Sequence, residues 1–263
     1  MNIYSCPNCK ESLIKNTNEL KCLNCGIDFL IKDNIPDLNV GNSYINAGMI
    51  NFFDKLHFYE SLPYLAGLYG FYGQIDVKPI KKRVPIITLL FKNLINEILD
   101  IEGKIVLDVA CGTGLYTRSI ARKAKEVYGV DISMGMLKSA QKYSKIFGLD
   151  NISFVCSNIE NLPFKDNSFD GISCCFALHL FKKLDKSLDE IHRVLVENGK
   201  LAGITHLKRG IWAKEGIYDV FIKENQSRLF KTDELKIYLE NAGFDNFKYS
   251  TIGSMIIFEA KKV

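Results

Sequence analysis

The sequence predicts an α/β protein, with a mostly parallel sheet and helices on both faces, preceded by a small metal-stapled module. Three observations carry this. Residues 104–116, KIVLDVACGTGLY, have the pattern of a strand, a glycine-containing turn and a helix start. From there to Thr205, short β-branched runs alternate with helix-period segments. The first 40 residues carry two Cys-x-x-Cys pairs separated by twelve residues.

The N-terminal pairs are Cys6/Cys9 and Cys22/Cys25. Each pair suits a tight knuckle turn, with Pro7 and Gly26 at fitting places, and two knuckles together present four thiolates to a tetrahedral Zn²⁺. Disulfides are disfavoured because the start, MNIYSCPNCK, has no basic segment followed by an apolar one, so the chain is expected to be cytoplasmic. A 40-residue unit lacks the core to fold alone, so residues 1–40 are expected to be a separate unit stabilised by structural zinc. With four protein ligands no position is open for catalysis. Four lysines face five carboxylates in this stretch, and zinc bound by four thiolates adds further negative charge. That sign opposes phosphate binding.

Residues 41–84 are expected to be a linker followed by an aromatic helical lid. Eight of the 29 Phe and Tyr residues fall within the 21 positions from Phe52 to Tyr72, either as a packed stripe or as the wall of an apolar pocket. Lys81, Lys82 and Arg83 form a short basic run, most simply a solvated face. Ile86 to Leu99 is apolar at helical spacing and should pack on the sheet.

The main domain, 85–263, starts its sheet at 105–109. Gly112 and Gly114 let the backbone bend sharply and leave room for a ligand. The second strand, 127–130, ends in Asp131, 17 residues after Gly114. This is near the offset of about 20 residues at which a carboxylate meets ribose hydroxyls. Together these predict a nucleoside-containing cofactor. A dinucleotide turn would want a third glycine where Thr117 stands, and Asp108 would repel a pyrophosphate. The same acid would welcome an ammonium, which favours S-adenosylmethionine over NAD.

Further elements follow in order: helices at 115–124 and 133–146, the latter capped by Ser133; strands at 152–156 and 171–176; a helix at 184–197. A strand is expected at 200–205 after the Asn198-Gly199 turn, and a helix at 232–241 ending at Gly243. Strands at 245–251 and 254–260 close the pattern around Gly253. Residues 206–231 interrupt it at the carboxyl edge of the sheet with His206, Lys208, Arg209, Trp212, Lys214, Tyr218 and Arg228. No apolar run reaches 18 residues, so no membrane span is expected.

LDVACGTG, GVDIS, VCSNIENLPFKDNSFDGI and EIHRVLVENGKLAGIT occur in the order and at the gaps of a known motif set. Over residues 85–263 the chain resembles the class I S-adenosylmethionine-dependent methyltransferases of the type 11 kind. The resemblance implies a Rossmann-like seven-stranded, mostly parallel sheet whose last strand is antiparallel. It implies that Asp108 holds the methionine ammonium, that Gly112 and Gly114 admit the methionine part, and that Asp131 accepts from both ribose hydroxyls. It implies Ile132 and Ile159 around the adenine and Asn158 where the family usually has an Asp facing the adenine amine. Ala110, Cys111 and Met136 complete the implied cofactor set. The general-base candidates are His179, which the resemblance places near the methyl group, and His206; His192 is expected to be structural. The whole arrangement also resembles a group of plant plastid methyltransferases and their bacterial relatives. The expected acceptor is a small apolar or aromatic metabolite. The alternatives are ribosomal or transfer RNA, since zinc ribbons also precede some ribosomal-RNA methyltransferases, and a non-catalytic binding module.

Overall fold

The computed structural model describes residues 3–40, 89–209 and 228–263. The expected linker, aromatic lid and basic run, and Trp212, Lys214 and Tyr218, lie outside the described residues.

The N-terminal module is a four-stranded antiparallel sheet of β1 (Leu13–Lys15), β2 (Glu19–Cys22), β3 (Asp28–Lys32) and β4 (Ile35–Pro36). Two knuckles bring the cysteines together, closed by Lys10 N–H to Cys6 C=O at 2.8 Å and Gly26 N–H to Cys22 C=O at 3.0 Å. Lys10 and Gly26 take the left-handed conformation that the knuckles need.

Helix α1 occupies 89–99 and precedes β5 (Ile105–Val109), α2 (Leu115–Ala121), β6 (Glu126–Asp131), α3 (Met134–Ile146) and β7 (Ile152–Cys156). Then come β8 (Phe169–Cys175), α4 (Leu184–Val194), β9 (Leu195–His206), α5 (Thr232–Asn241), β10 (Phe244–Ile252) and β11 (Met255–Lys262). The seven strands lie in the order β10-β11-β9-β8-β5-β6-β7. The five from β5 to β9 are mutually parallel, and β11 is antiparallel to both its neighbours.

Two boundaries differ from expectation. Helix α2 stops at Ala121 rather than 124. Helix α4 stops at Val194, and β9 runs from Leu195 straight through Asn198 and Gly199. The Asn-Gly pair is a bulge within that strand, with Asn198 at φ 64° and a register break between the Phe169/Leu195 and Gly171/Lys200 pairings. A Cβ at Gly199 would lie 2.7 Å from the Leu195 side chain, so the bulge closes only on glycine. The Ser133 cap holds, its hydroxyl accepting from Met136 N–H at 3.1 Å, and Gly243 ends α5 at φ 87°.

Alternation along the strands splits the core. Val106, Val127, Ala202 and Ile204 pack with Phe91, Ile95 and Leu99 of α1 and Ile120 of α2. Leu107, Val109, Ile172 and Leu201 face the other way, onto Leu188 and Ile191 of α4 and Leu235 and Leu239 of α5.

The N-terminal unit is less separate than its length suggested. Leu13, Leu20, Phe29 and Leu38 belong to the same buried cluster as Val155, Leu162, Phe164 and Phe169. Ile35 packs around the β7 edge against Leu137, Ala140 and Phe154. A module too small to close its own core completes it on the larger domain. In doing so it covers the exposed edge of β7: Asp37 bridges Cys156 in parallel register, and Leu38 N–H donates to Cys156 C=O at 2.8 Å.

Candidate cofactor cleft and cysteine centre

The turn after β5 is built around two carboxylates. Asp108, 2% exposed, accepts the Thr117 hydroxyl on one oxygen and the Ser173 hydroxyl on the other, each at 2.6 Å. Burial raises its pKa to about 6, against the lowering effect of those two hydroxyls and with a further push from Asp131. Thr117, at the place of a missing third glycine, thus anchors the acid under the turn. Ala110 sits left-handed at φ 53°, a conformation costly to a residue with a Cβ. Gly112 and Gly114 follow at φ 54° and 77°, and a Cβ on Gly114 would stand 3.1 Å from Ala140 Cβ, so α3 approaches the turn closely.

Asp131 stands at the tip of β6. One oxygen accepts Gly112 N–H at 2.8 Å and the other accepts Ser133 N–H at 2.9 Å. This single side chain ties the glycine turn to the start of α3. Beside it opens a cleft lined by Ala110, Asp131, Ile132, Asn158 and Ile159 among others. Five of the ten expected cofactor residues therefore line one cavity at the carboxyl end of the parallel strands, where α/β sheets bind ligands. Asp108, Cys111, Gly112 and Gly114 form the turn and its support. Met136 is buried in the first turn of α3 and is not among the lining residues. The Asn158 oxygen caps a one-turn helix, accepting from Glu160 N–H at 3.0 Å.

Several lining residues went unrecognised in the sequence: Ser157, Glu160, Leu180, Phe181 and Ser187. Ser157 immediately follows β7, so the strand-end rule could have found it. Leu180 ends a one-turn helix, Leu178–Leu180, and Phe181 caps it, and no local pattern marks them.

The two candidate bases come together. His179, after β8, and His206, ending β9, are buried with ring centroids 5.0 Å apart. His179 Nδ1 lies 3.3 Å from Thr205 Oγ1. Burial holds the His179 pKa well below the ordinary value, with the neighbouring ring adding to it, and lowers His206 to about 4. Phe176, left-handed at φ 59°, packs its ring 5.8 Å from that of His206. His179 C=O accepts Arg228 N–H at 2.7 Å, and Leu207 bridges Phe230, so the chain on either side of 210–227 is fastened beside these rings. His192 instead packs on Phe244 and fills the space that a Cβ on Gly243 would need, the structural place expected of it.

At the other centre the Sγ atoms of Cys6, Cys9, Cys22 and Cys25 all lie within 4.8 Å of one another. Cys6–Cys25 and Cys9–Cys22 are 3.5 and 3.4 Å apart, and all eight cysteines are free thiols. Metal–sulfur bonds of about 2.3 Å in a tetrahedron put sulfurs about 3.8 Å apart, so the set needs only small adjustments to close on a metal. Among the described residues it is the one such group.

A doubly wound sheet with a glycine turn, an acid at the tip of the second strand and a cleft between them defines a class: proteins that bind a nucleoside-bearing ligand at the carboxyl edge. Comparison narrows it. A family model described as a methyltransferase domain matches residues 107–203. A demethylmenaquinone methyltransferase of Tropheryma whipplei is 31% identical over 180 residues, 60% of this chain and 74% of that protein. The chain belongs to the class I S-adenosylmethionine-dependent methyltransferases. An uncharacterised chloroplastic methyltransferase of Arabidopsis thaliana is 24% identical over an alignment covering 99% of this chain and 78% of that protein. A methyltransferase structure from Aquifex aeolicus, at 24% identity and a TM-score of 0.58, covers 72% of this chain and all of that one, and supports the fold. The chain spans 40% and 45% of the length of two other curated relatives it matches. No helix among the described residues is long and apolar enough to cross a membrane.

Proposed function

We propose that this protein transfers a methyl group from S-adenosylmethionine to a small apolar or aromatic metabolite, and that its four cysteines hold a structural Zn²⁺. The observation that carries the first reading is Asp131, poised at the mouth of the cleft while fixing the glycine turn. Bound S-adenosylmethionine supplies an electrophilic methyl group on a sulfonium. Asp131 accepts from the ribose hydroxyls, with the apolar side chains of Ile132 and Ile159 against the adenine. Asn158, its oxygen engaged as a cap, adjoins the adenine amine. Asp108, supported by two hydroxyls, provides the negative charge for the ammonium end, and Gly112 and Gly114 leave space for it. Ala110 and Cys111 shape the same turn.

His179 and His206 are neutral at physiological pH because burial disfavours their charged forms, so each has an unprotonated nitrogen to offer an O–H or N–H acceptor, but as a weaker base than an ordinary imidazole. A ring that took up the acceptor's proton would carry the positive charge that the sulfonium gives up, so the net charge of the site would not change, which a buried site tolerates better. A small apolar acceptor agrees with the aromatic and aliphatic residues beside these rings, and with relatives named for quinone methylation. The net-negative module argues against RNA as substrate.

Methyl-labelled S-adenosylmethionine incubated with protein and cell extract, then fractionated, tests the reading. Label in the organic-soluble small-molecule fraction is expected; label confined to RNA would overturn the substrate class. Elemental analysis should find about one zinc per chain, and zinc-free folded protein would overturn the metal assignment.

A further inference from the structure

The cysteine module touches both ends of one cleft wall. Residues 157–160 form that wall, and the wall belongs to a segment running from the end of β7 to Lys165. At its first end, Leu38 N–H donates to Cys156 C=O at 2.8 Å, and Ser157 Oγ donates to Leu38 C=O at 3.3 Å. At its far end, Ser5 N–H donates to Pro163 C=O and Lys165 N–H to Ile3 C=O, both at 3.0 Å. Lys10 Nζ reaches Leu162 C=O at 3.3 Å and Glu190 of α4 at 2.8 Å. The Tyr4 ring stacks on Phe164, with centroids 5.8 Å apart.

The far-end contacts originate beside the cysteine cluster. Ile3, Tyr4 and Ser5 lead into Cys6, and Lys10 follows Cys9 directly. The knuckle that two of the cysteines define therefore sets the position of the module's own grips on the far end, which Arg193 of α4 shares through Leu162 C=O at 3.0 Å and Phe164 C=O at 2.8 Å. Between the two grips, residues 157–162 are tied by Ser157 N–H to Asp131 C=O at 3.0 Å, the Asn158 cap, Asn161 N–H to Asn158 C=O at 3.1 Å, and from α4 by the Lys183–Glu160 ion pair at 3.6 Å and Arg193 on the Leu162 carbonyl at 3.0 Å.

We propose that the module is the outer clamp of the cofactor cleft, so that the Cys6–Cys9 knuckle sets the affinity for S-adenosylmethionine although no module residue lines the cleft. This rests on the cofactor reading above. The physical reason is pre-organisation. A wall held at both ends meets the nucleoside already ordered, whereas a released wall must be ordered at the moment of binding and weakens affinity by that cost. Lys10, Tyr4 and Leu38 are positioning residues.

The test uses the full chain and three samples: wild type, wild type stripped of metal by chelation, and Lys10→Met, which keeps all four cysteines. S-adenosylmethionine affinity is measured by calorimetry, and amide hydrogen exchange is followed by peptide. Lys10→Met should retain its metal, weaken binding by about fivefold, and speed exchange in 157–165 while leaving β5 and β6 protected. Chelation should weaken binding further, by tenfold or more on the same scale. Should stripping unfold the chain, Tyr4→Ala supplies a second metal-retaining variant with the same expectation. Unchanged affinity and exchange in both metal-retaining variants would overturn the clamp. Loss on chelation alone would also overturn it, since the knuckle contacts would then carry nothing. Wild type that fails to bind S-adenosylmethionine would instead sink the cofactor reading itself.

Discussion

Replacing Asp131 with alanine separates its two tasks. In the folded chain its oxygens accept Gly112 N–H at 2.8 Å and Ser133 N–H at 2.9 Å. Hydrogen bonds to a charged group contribute about 1.5–3 kcal/mol each when buried, and less here because water reaches the half-exposed carboxylate. The fold should therefore lose about 2 kcal/mol, visible as a lower urea midpoint with unchanged slope. Cofactor binding should lose more. Two ribose hydroxyls donating to one carboxylate contribute about 3 kcal/mol at the low end of the same range, or about 10²-fold in Kd. Asp131→Asn keeps one acceptor oxygen and should fall between. Calorimetric titration of the folded variants with S-adenosylmethionine measures this. An alanine variant that is folded and binds within about threefold of wild type would refute the ribose assignment.

Ala110→Gly should raise stability by about 1 kcal/mol, because it removes a Cβ from a residue at φ 53°; thermal unfolding checks it. Asp108→Asn should be the more stable protein at pH 7.5. The native acid titrates near 6 and the unfolded one near 3.8, so its favourable contribution is complete below 3.8 and is lost as pH rises through 6. The advantage of the asparagine variant, about 3 kcal/mol at most, should shrink as pH falls from 7 to 4, and a pH-independent difference would refute the burial argument. With His206 near 4 and His179 also depressed, turnover at saturating substrate should stay flat from pH 5.5 to 8; a step at 6.5 would refute the depression of the working ring by burial.

The parts legible in the sequence are those in which one short stretch determines the outcome. LDVACGTG forms a strand and a left-handed turn whatever surrounds it, and the acid ending β6 could be placed by counting. Two Cys-x-x-Cys pairs foretold the four-thiol cluster. What escaped was set by distant packing. The docking of the module joins Lys10 to Glu190, 180 positions apart, and no local period encodes such a contact. Leu180, Phe181 and Ser187 reach the cleft only because β8 lies beside β5. The Asn198-Gly199 pair looked like a turn because turn chemistry and bulge chemistry use the same residues; pairing on both sides decided for the bulge.

The disposition of charge explains why such a costly arrangement fits a cationic ligand. Asp108 is buried beneath the turn, and Asp131 raises its pKa further. Two hydroxyls offset part of the penalty, while the cations found at this turn and cleft are placed otherwise: Arg118 donates to Thr113 C=O at 2.6 Å, and Lys182 is part of the cleft lining. A lysine or arginine paired directly with Asp108 would stabilise the empty fold and would compete with an ammonium ligand for the same carboxylate. On the cofactor reading proposed above, the ligand's ammonium would supply the counter-charge that two neutral hydroxyls do not. Binding should then draw a proton off the Asp108 carboxyl below pH 6, so affinity and stability respond to pH in opposite senses: the empty protein is favoured by protonation of this group, and the complex by its ionisation. A neutral nucleoside lacking the amino-acid part should feel no such coupling, and titrating it over the same pH range separates the acid's action on the amino-acid end from its cost to the empty fold.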